Sequence, residues 1–600
     1  MSELLTRQES NPEYHWDLTT MYASDQEMEE ALEAAKSKID KVKSYQGKLG
    51  NSAQDMIEAL EAYLDLDRTA SNLYVYGHLK NDQDKGDGQY QNLFARVSSF
   101  YNDSNEAGAY LRPELLSLDQ NELKTMVANN EELQAYQQFI DDILRYKDHT
   151  LSADIELILA QAGQFIAGNS QTFSYLNNAD LVFPTIKGED GQAIQITHGN
   201  FIKLLLSSNR QVRQAAFKAL FSVYQQFQNT FASILGTEIK INNYQAKIRD
   251  FASARQASLF NNNVPEAVYD TLVQSVNKRL DLLHRYVELR QSLLKLDDLE
   301  MYDMYTPLLG DLPIKFTYHE AQDIILEALK PLGEDYVSIV KSAFEEGWID
   351  VYENKGKRSG AYSSGSYDSK PYILMNFQEG IDSMYTLIHE LGHSLHTYLT
   401  NKHQPYVYSH YSIFLAEIAS TTNENLLTDY LLKKYQDKNI QLYLLNHFLD
   451  GVKGTVFRQT QFAEFEHLIY DADAKGIPLT SEFLSKEYQA INEKYYGPAV
   501  NSDSEIAVEW ARIPHFYYNY YVFQYATGFS AATAFAQRIL SGDQEARDKY
   551  LGFLRSGNSK YPIDTMIEAG LDMTDAAYIE ATLDVFEERL NEFESLMARE

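Results

Sequence analysis

"SAQDMIEALEAYLDLDRTASNLYVYGHLK" spans residues 52–80. On a helix, Met56, Leu60, Tyr63 and Leu64 fall on one face, the spacing of a segment that lays an apolar stripe on a core. The preceding "MEEALEAAKSKIDKVKSY" (28–45) is rich in strong helix formers. From about residue 25 to 150 the chain reads as successive helices with no sign of chemistry. Only 13 prolines and 29 glycines punctuate 600 residues, so the fold class predicted is mainly α.

Two stretches break the helical spacing. In "LVFPTIKGEDGQAIQIT" (181–197), two β-prone runs flank Gly188-Glu189-Asp190-Gly191, which predicts a hairpin. Helices then resume to about residue 299. The zone 345–379 is irregular again. There "GKRSGAYSSGSYDSK" (356–370) is small, polar and glycine-rich, and "PYILMNF" (371–377) reads as a strand. A helix is expected to open near Gly380–Asp382. No internal repeat or clean linker is present, and a boundary near residue 200 is expected, dividing the chain into 1–200 and 201–600.

Composition narrows the function. Hydrophobic residues make up 44 %, charged 23 % and aromatic 13 %, a globular balance. The net charge of −34 repels phosphate backbones, so nucleic acid is not an expected partner. With no cysteine, disulfides and thiol catalysis are excluded. The start, "MSELLTRQESNPEYHWDL", has no basic and then apolar leader pattern, and no run is long and apolar enough to span a membrane. A cytoplasmic protein without a membrane partner is expected.

The chemistry concentrates in "LIHELGHSLH" (387–396). Five of the chain's 14 histidines lie between 389 and 410. His389 and His393 are four apart, which stacks them on one face of a helix. Met384, Leu387, Ile388, Leu391 and Leu395 supply the opposite, apolar face. Glu390 lies about 100° around the axis, beside the ion rather than on it. This is H-E-x-x-H: two neutral imidazoles for zinc and a glutamate as general base. A third protein ligand is needed. His396 and Leu399 stand where a metzincin would have glycine and histidine. The helix "FLAEIASTTNENLLTDYLLKKY" (414–435) offers Glu417 and Glu424, seven apart and on one face. One can ligate while the other orients a ligand histidine, and spacing alone does not say which. His396, His403 and His410 read as packing or polar residues.

H-E-L-G-H at 389–393 followed by "AEIASTTNE" at 416–424 resembles the paired motifs of the oligoendopeptidase F group of M3 (thimet oligopeptidase-like) zinc peptidases. "HWDLTTMY" (15–22), "LLHRYVELRQSLLKLDDLEMYDMYTPL" (282–308), "GAYSSGSYDSKPYILMNF" (360–377) and "YPIDTMIEAGLDM" (561–573) extend it over most of the chain. The resemblance implies one Zn²⁺ per chain, Glu417 as third ligand and Glu424 as an outer carboxylate. It implies a two-lobed helical ellipsoid, a deep central channel and a small β-sheet near the site; with the boundary expected near residue 200, 1–200 is the N-terminal helical lobe and 201–600 the catalytic lobe. In "ARIPHFYYNYYVFQYATGFSAA" (511–532) it suggests His515, Tyr518 and Tyr525, with Tyr521 less well matched, over the scissile carbonyl. Glu390 would activate a zinc-bound water to cut internal bonds of short unfolded peptides.

The segment at Gly360, Ala361, Tyr362 and Gly365 reads as a place where an extended peptide pairs by backbone bonds, the glycines allowing close approach. One alternative is a dipeptidyl carboxypeptidase-like exopeptidase. It would need a cation for the terminal carboxylate, and Lys357 and Arg358 are the candidates. A non-catalytic helical binding protein is the other.

Overall fold

A computed structural model describes residues 4–310 and 314–598; the first three residues of the stretch read above as free of a leader lie outside them. Among the described residues, α-helices carry most of the chain and strands are short. No described helix is long and apolar enough to cross a membrane.

The chain divides into two compact units, each assembled from separate stretches. One holds residues 1–148, 314–431 and 535–570; the other holds 149–313, 432–534 and 571–600. The expected boundary near residue 200 therefore falls inside the second unit. A single cut cannot follow these contacts, because 314–431 and 535–570 return to the first unit. Such returns leave no trace in composition.

In the first unit, Asp25–Lys43, Ala53–Gln83 and Gly88–Gly108 are helices. Ser24 and Ser52 start the first two by accepting the backbone N–H of Glu27 and Asp55. The 52–80 stretch serves two cores. Met56 and Leu60 pack with Leu115, Leu123 and Ile140. Leu66, Ala70 and Leu73 pack with Met28, Val97 and Phe100. Of the predicted face, Met56 and Leu60 are fully buried, while Tyr63 and Leu64 are only half-buried. The stripe drifts because the helix changes core partway along.

That second core also takes in Tyr372 and Leu374, from the middle strand of a three-stranded sheet. Tyr372–Leu374 pairs parallel with Ile349–Asp350 and antiparallel with Tyr362–Ser364, which lies at the edge. The second unit is built along the helix Arg210–Ile248, capped by Asn209. Helices Ala153–Tyr175, Arg458–Ala474 and Ser481–Tyr496 pack on it. It also contains the expected hairpin, Thr185–Lys187 against Ala193–Gln195.

Candidate metal centre

Gly380 precedes the helix Ile381–His403. Met384, Leu387, Ile388, Leu391 and Leu395 are fully buried along it, so packing fixes its rotation and leaves His389 and His393 half-buried on another face. The second helix, Ile413–Lys434, lies against it at unusually short range. A Cβ added to Gly392 would sit 2.4 Å from Ser420 Cα and 2.7 Å from its nitrogen. Any side chain at 392 would push the helices apart. Backbone contact there lets two short carboxylates reach two imidazoles.

The geometry separates the two glutamates that spacing left equivalent. Glu417 Oε2 is 3.4 Å from His389 Nε2 and 3.5 Å from His393 Nε2. The two Nε2 atoms are 3.2 Å apart, and ligand atoms of the three residues all lie within 4.8 Å of one another. Glu424 Oε1 instead meets His389 Nδ1 at 2.8 Å. With Nδ1–H donated to Glu424, Nε2 keeps its lone pair for a metal. Ser420 Oγ donates to Glu417 Oε2 at 3.2 Å, steadying that carboxylate.

The electrostatics fit a cation. Burial opposes protonation of His389, yet the carboxylates of Glu417 and Glu424 overcome it and push the imidazole up to about 10. Burial also works against the Glu417 charge, and the two histidines outweigh it, holding that carboxyl well below its usual range. Two nitrogens and one oxygen that draw positive charge between them suit a divalent ion with an open fourth position.

Glu390 is 8 % exposed. Burial raises its pKa, opposed by the two histidines and by the backbone N–H of Ser363. Ser363 Oγ also meets Ser394 Oγ at 2.8 Å, so the edge strand Tyr362–Ser364 is fastened to the motif helix beside Glu390. Spacing gave no hint of Ser363, Ser394, Ser420 or Gly392, whose roles depend on chain brought in from elsewhere.

The remaining candidates of the first unit sort by their contacts. Tyr362 donates its hydroxyl to the buried Asp82 at 3.0 Å, which anchors the strand. Gly365 lies where a Cβ would come within 3.0 Å of Lys370 O and Pro371 Cα, so its close approach is to its own hairpin. Gly360 adopts φ +84° with open space around its Cβ position. Ala361, between Gly360 and the strand, is half-buried. The Lys357 side chain is completely buried, with Nζ 2.7 Å from Asp350, and Arg358 pairs with Asp82 at 3.1 Å. Both candidate cations for a terminal carboxylate are already engaged. His396 is buried, stacked on Tyr411 at 3.7 Å, and pushed by burial down to about 3; it is a neutral packing residue.

His515, Tyr518, Tyr521 and Tyr525 belong to the second unit and form a cluster of their own. His515 lies in the short helix Pro514–Tyr517, and Tyr525 in the helix Phe523–Leu540. Tyr525 Oη is 3.4 Å from His515 Nε2, and the rings of Tyr518 and Tyr521 lie 5.7 and 6.4 Å from the imidazole. Burial lowers the His515 pKa, which keeps the ring neutral.

Two histidines one helical turn apart, a carboxylate from a second helix and a buried glutamate between them are the arrangement of metal-dependent peptidases. The sequence pattern of Peptidase family M3 matches residues 203–585, and that of Oligopeptidase F matches 114–183. The chain is 48 % identical to "Oligopeptidase PepF" of Bacillus subtilis over all of its own length and 89 % of that protein. It is 49 % identical to "Group B oligopeptidase PepB" of Streptococcus agalactiae, covering 98 % of this chain and 97 % of the relative. The solved structure of oligoendopeptidase-F from Enterococcus faecium superposes with a TM-score of 0.75 at 49 % identity, over 96 % of this chain and all of that one. The chain belongs to peptidase family M3 and is a metalloendopeptidase.

Proposed function

We propose that the chain is a zinc-dependent endopeptidase that hydrolyses internal bonds of short, unfolded peptides. The observation carrying this is the meeting of His389, His393 and Glu417 ligand atoms within 4.8 Å, with buried Glu390 one residue along the helix from His389. His389 Nε2, His393 Nε2 and a Glu417 oxygen would hold the ion, and Glu424, 2.8 Å from His389 Nδ1, orients that ring. Zinc, when bound, would supply Lewis-acid polarisation of the peptide carbonyl and lower the pKa of water, so that the nucleophilic hydroxide is available near neutral pH.

Glu390 takes the proton of the attacking water and delivers it to the leaving amine. Burial raises its proton affinity, which suits a group that must hold a proton between two transfers. His515 and Tyr525, with Tyr518 beside them, donate hydrogen bonds to the carbonyl oxygen as charge develops there, each donor worth about 3–4 kcal/mol of barrier. Their shared packing and the neutral His515 ring support the role. The edge strand Tyr362–Ser364, within the segment Gly360–Gly365, aligns the peptide by backbone pairing. The names of the relatives, oligopeptidase and oligoendopeptidase, support short peptides cut internally.

The test is an internally quenched peptide of about ten residues, blocked at both ends so that no exopeptidase can start. Internal cleavage should cease on chelation and return with one equivalent of zinc. Glu390→Gln should bind zinc normally and lose at least about 10³-fold in kcat. Full activity in that variant, or cleavage untouched by chelation, would overturn the mechanism.

A further inference from the structure

In the middle of the 511–532 segment the backbone takes a conformation that side chains disfavour. Asn519 and Tyr520 both lie at positive φ, 47° and 59°, a left-handed pair with no glycine in it. Strain of this kind persists only where the surroundings over-determine it. His515 and Tyr518 precede the pair and Tyr521 and Tyr525 follow it, so the turn fixes how the two halves of the aromatic cluster meet.

Four contacts hold it, all within the second unit; in one of them the Tyr520 hydroxyl lies 3.2 Å from His467 Nδ1. Ser258 Oγ donates to the Asn519 carbonyl at 2.6 Å. The Tyr520 ring, 2 % exposed, packs 4.7 Å from Tyr470 and 5.6 Å from Tyr269. The Tyr520 N–H donates to Glu466 Oε1 at 2.8 Å. Glu466 is completely buried on the helix Arg458–Ala474, and its other oxygen has no hydrogen-bond partner among the described residues.

The titratable and charged groups facing it are few. Tyr470 and His467 share its helix, Tyr520 belongs to the turn, and Tyr269 comes from the helix Glu266–Lys278. Arg255, which acts on Tyr269 and Tyr520, is held by Glu266 and Asp270 at 2.7 Å each. No basic side chain among the described residues pairs with Glu466.

We propose that Glu466 is a positioning residue: its buried carboxyl locks the left-handed Asn519–Tyr520 turn and thereby sets His515 and Tyr525. This rests on reading His515 and Tyr525 as donors to the substrate. Burial pushes the Glu466 carboxyl up to about 8, only partly offset by the Tyr520 N–H. The proton is therefore held through neutral pH and lost as pH rises through about 8. Its loss leaves an uncompensated charge against three buried tyrosines, and the turn must shift to relieve it.

The test follows blocked-peptide hydrolysis by zinc-loaded wild type, Glu466→Gln, Glu466→Ala and His515→Ala from pH 6 to 10, with zinc content measured in each. Glutamine keeps the acceptor oxygen and cannot ionise. Glu466→Ala should lose about ten- to a hundred-fold in kcat at pH 7 with little change in KM. Glu466→Gln should restore kcat to within about three-fold of wild type and carry its alkaline limb at least about one pH unit higher. A wild-type alkaline limb in Glu466→Gln, or full kcat in Glu466→Ala, overturns the proposal; if the alanine variant does not fold, the glutamine profile decides alone. Full activity in His515→Ala overturns the donor reading itself. An impaired His515→Ala beside wild-type behaviour in both Glu466 variants overturns only the role of Glu466.

Discussion

The two nitrogens of His389 face different partners, and that divides the labour of the glutamates. Nε2 looks toward Glu417 and His393, whereas Nδ1 meets Glu424. Removing a ligand and removing the group that orients one should have different consequences. Glu417→Ala should abolish stoichiometric zinc binding. Glu424→Ala should retain one zinc per chain while weakening affinity by about 10- to 100-fold, the usual cost of losing an outer partner. Competition with a chromophoric chelator measures both, and equal losses would contradict the assignment. His389, Glu390 and His393 were legible as a candidate site because the helical repeat converts their spacing directly into proximity. By spacing, Glu417 and Glu424 were legible only as a pair, and the family resemblance alone distinguished them. They share a helix face two turns apart, and what tells them apart is where another helix's histidines lie. Glu466 was invisible because nothing around it in the sequence announces that the chain 54 residues on turns left-handed above it.

At the scale of elements, the centre depends on two helices touching backbone to backbone. Gly392 makes that contact possible, so the glycine inside the H-E-L-G-H stretch is a packing requirement. Gly392→Ala should destabilise the protein by about 1–3 kcal/mol, the range for overpacking a filled interior. It should also weaken zinc binding, since the helices must separate by a good fraction of an ångström. Denaturant unfolding and zinc competition on the same preparation test both effects; normal stability with normal affinity would show that the contact is slack. Helices, the 181–197 hairpin and the 372–374 strand could be expected from periodicity and turn residues, which are local. The partners of the edge strand Tyr362–Ser364 could not. Asp82 and Ser394 come from a helix far upstream and from the motif helix.

For the whole molecule, His389, His393 and Glu417, the proposed metal ligands, all fall in one compact unit and the His515 cluster in the other. Zinc should therefore slow amide hydrogen exchange chiefly in the helices Ile381–His403 and Ile413–Lys434 and their neighbours in the first unit. Peptides from residues 149–310 should change little. Uniform protection throughout the chain would show that the two units respond to the metal as one body. A mainly α chain could be recognised from the scarcity of breakers, but its partition could not, because the stretches composing each unit are joined by contacts and not by composition. The interleaving also bears on how the protein is made. Residues 381–434 leave the ribosome before residues 535–570, which complete their unit. At ordinary elongation speeds that interval is on the order of ten seconds. The nascent chain must carry its histidines and glutamates through that interval in an unfinished fold, and the unit that presents them is completed only after residues 535–570 have emerged.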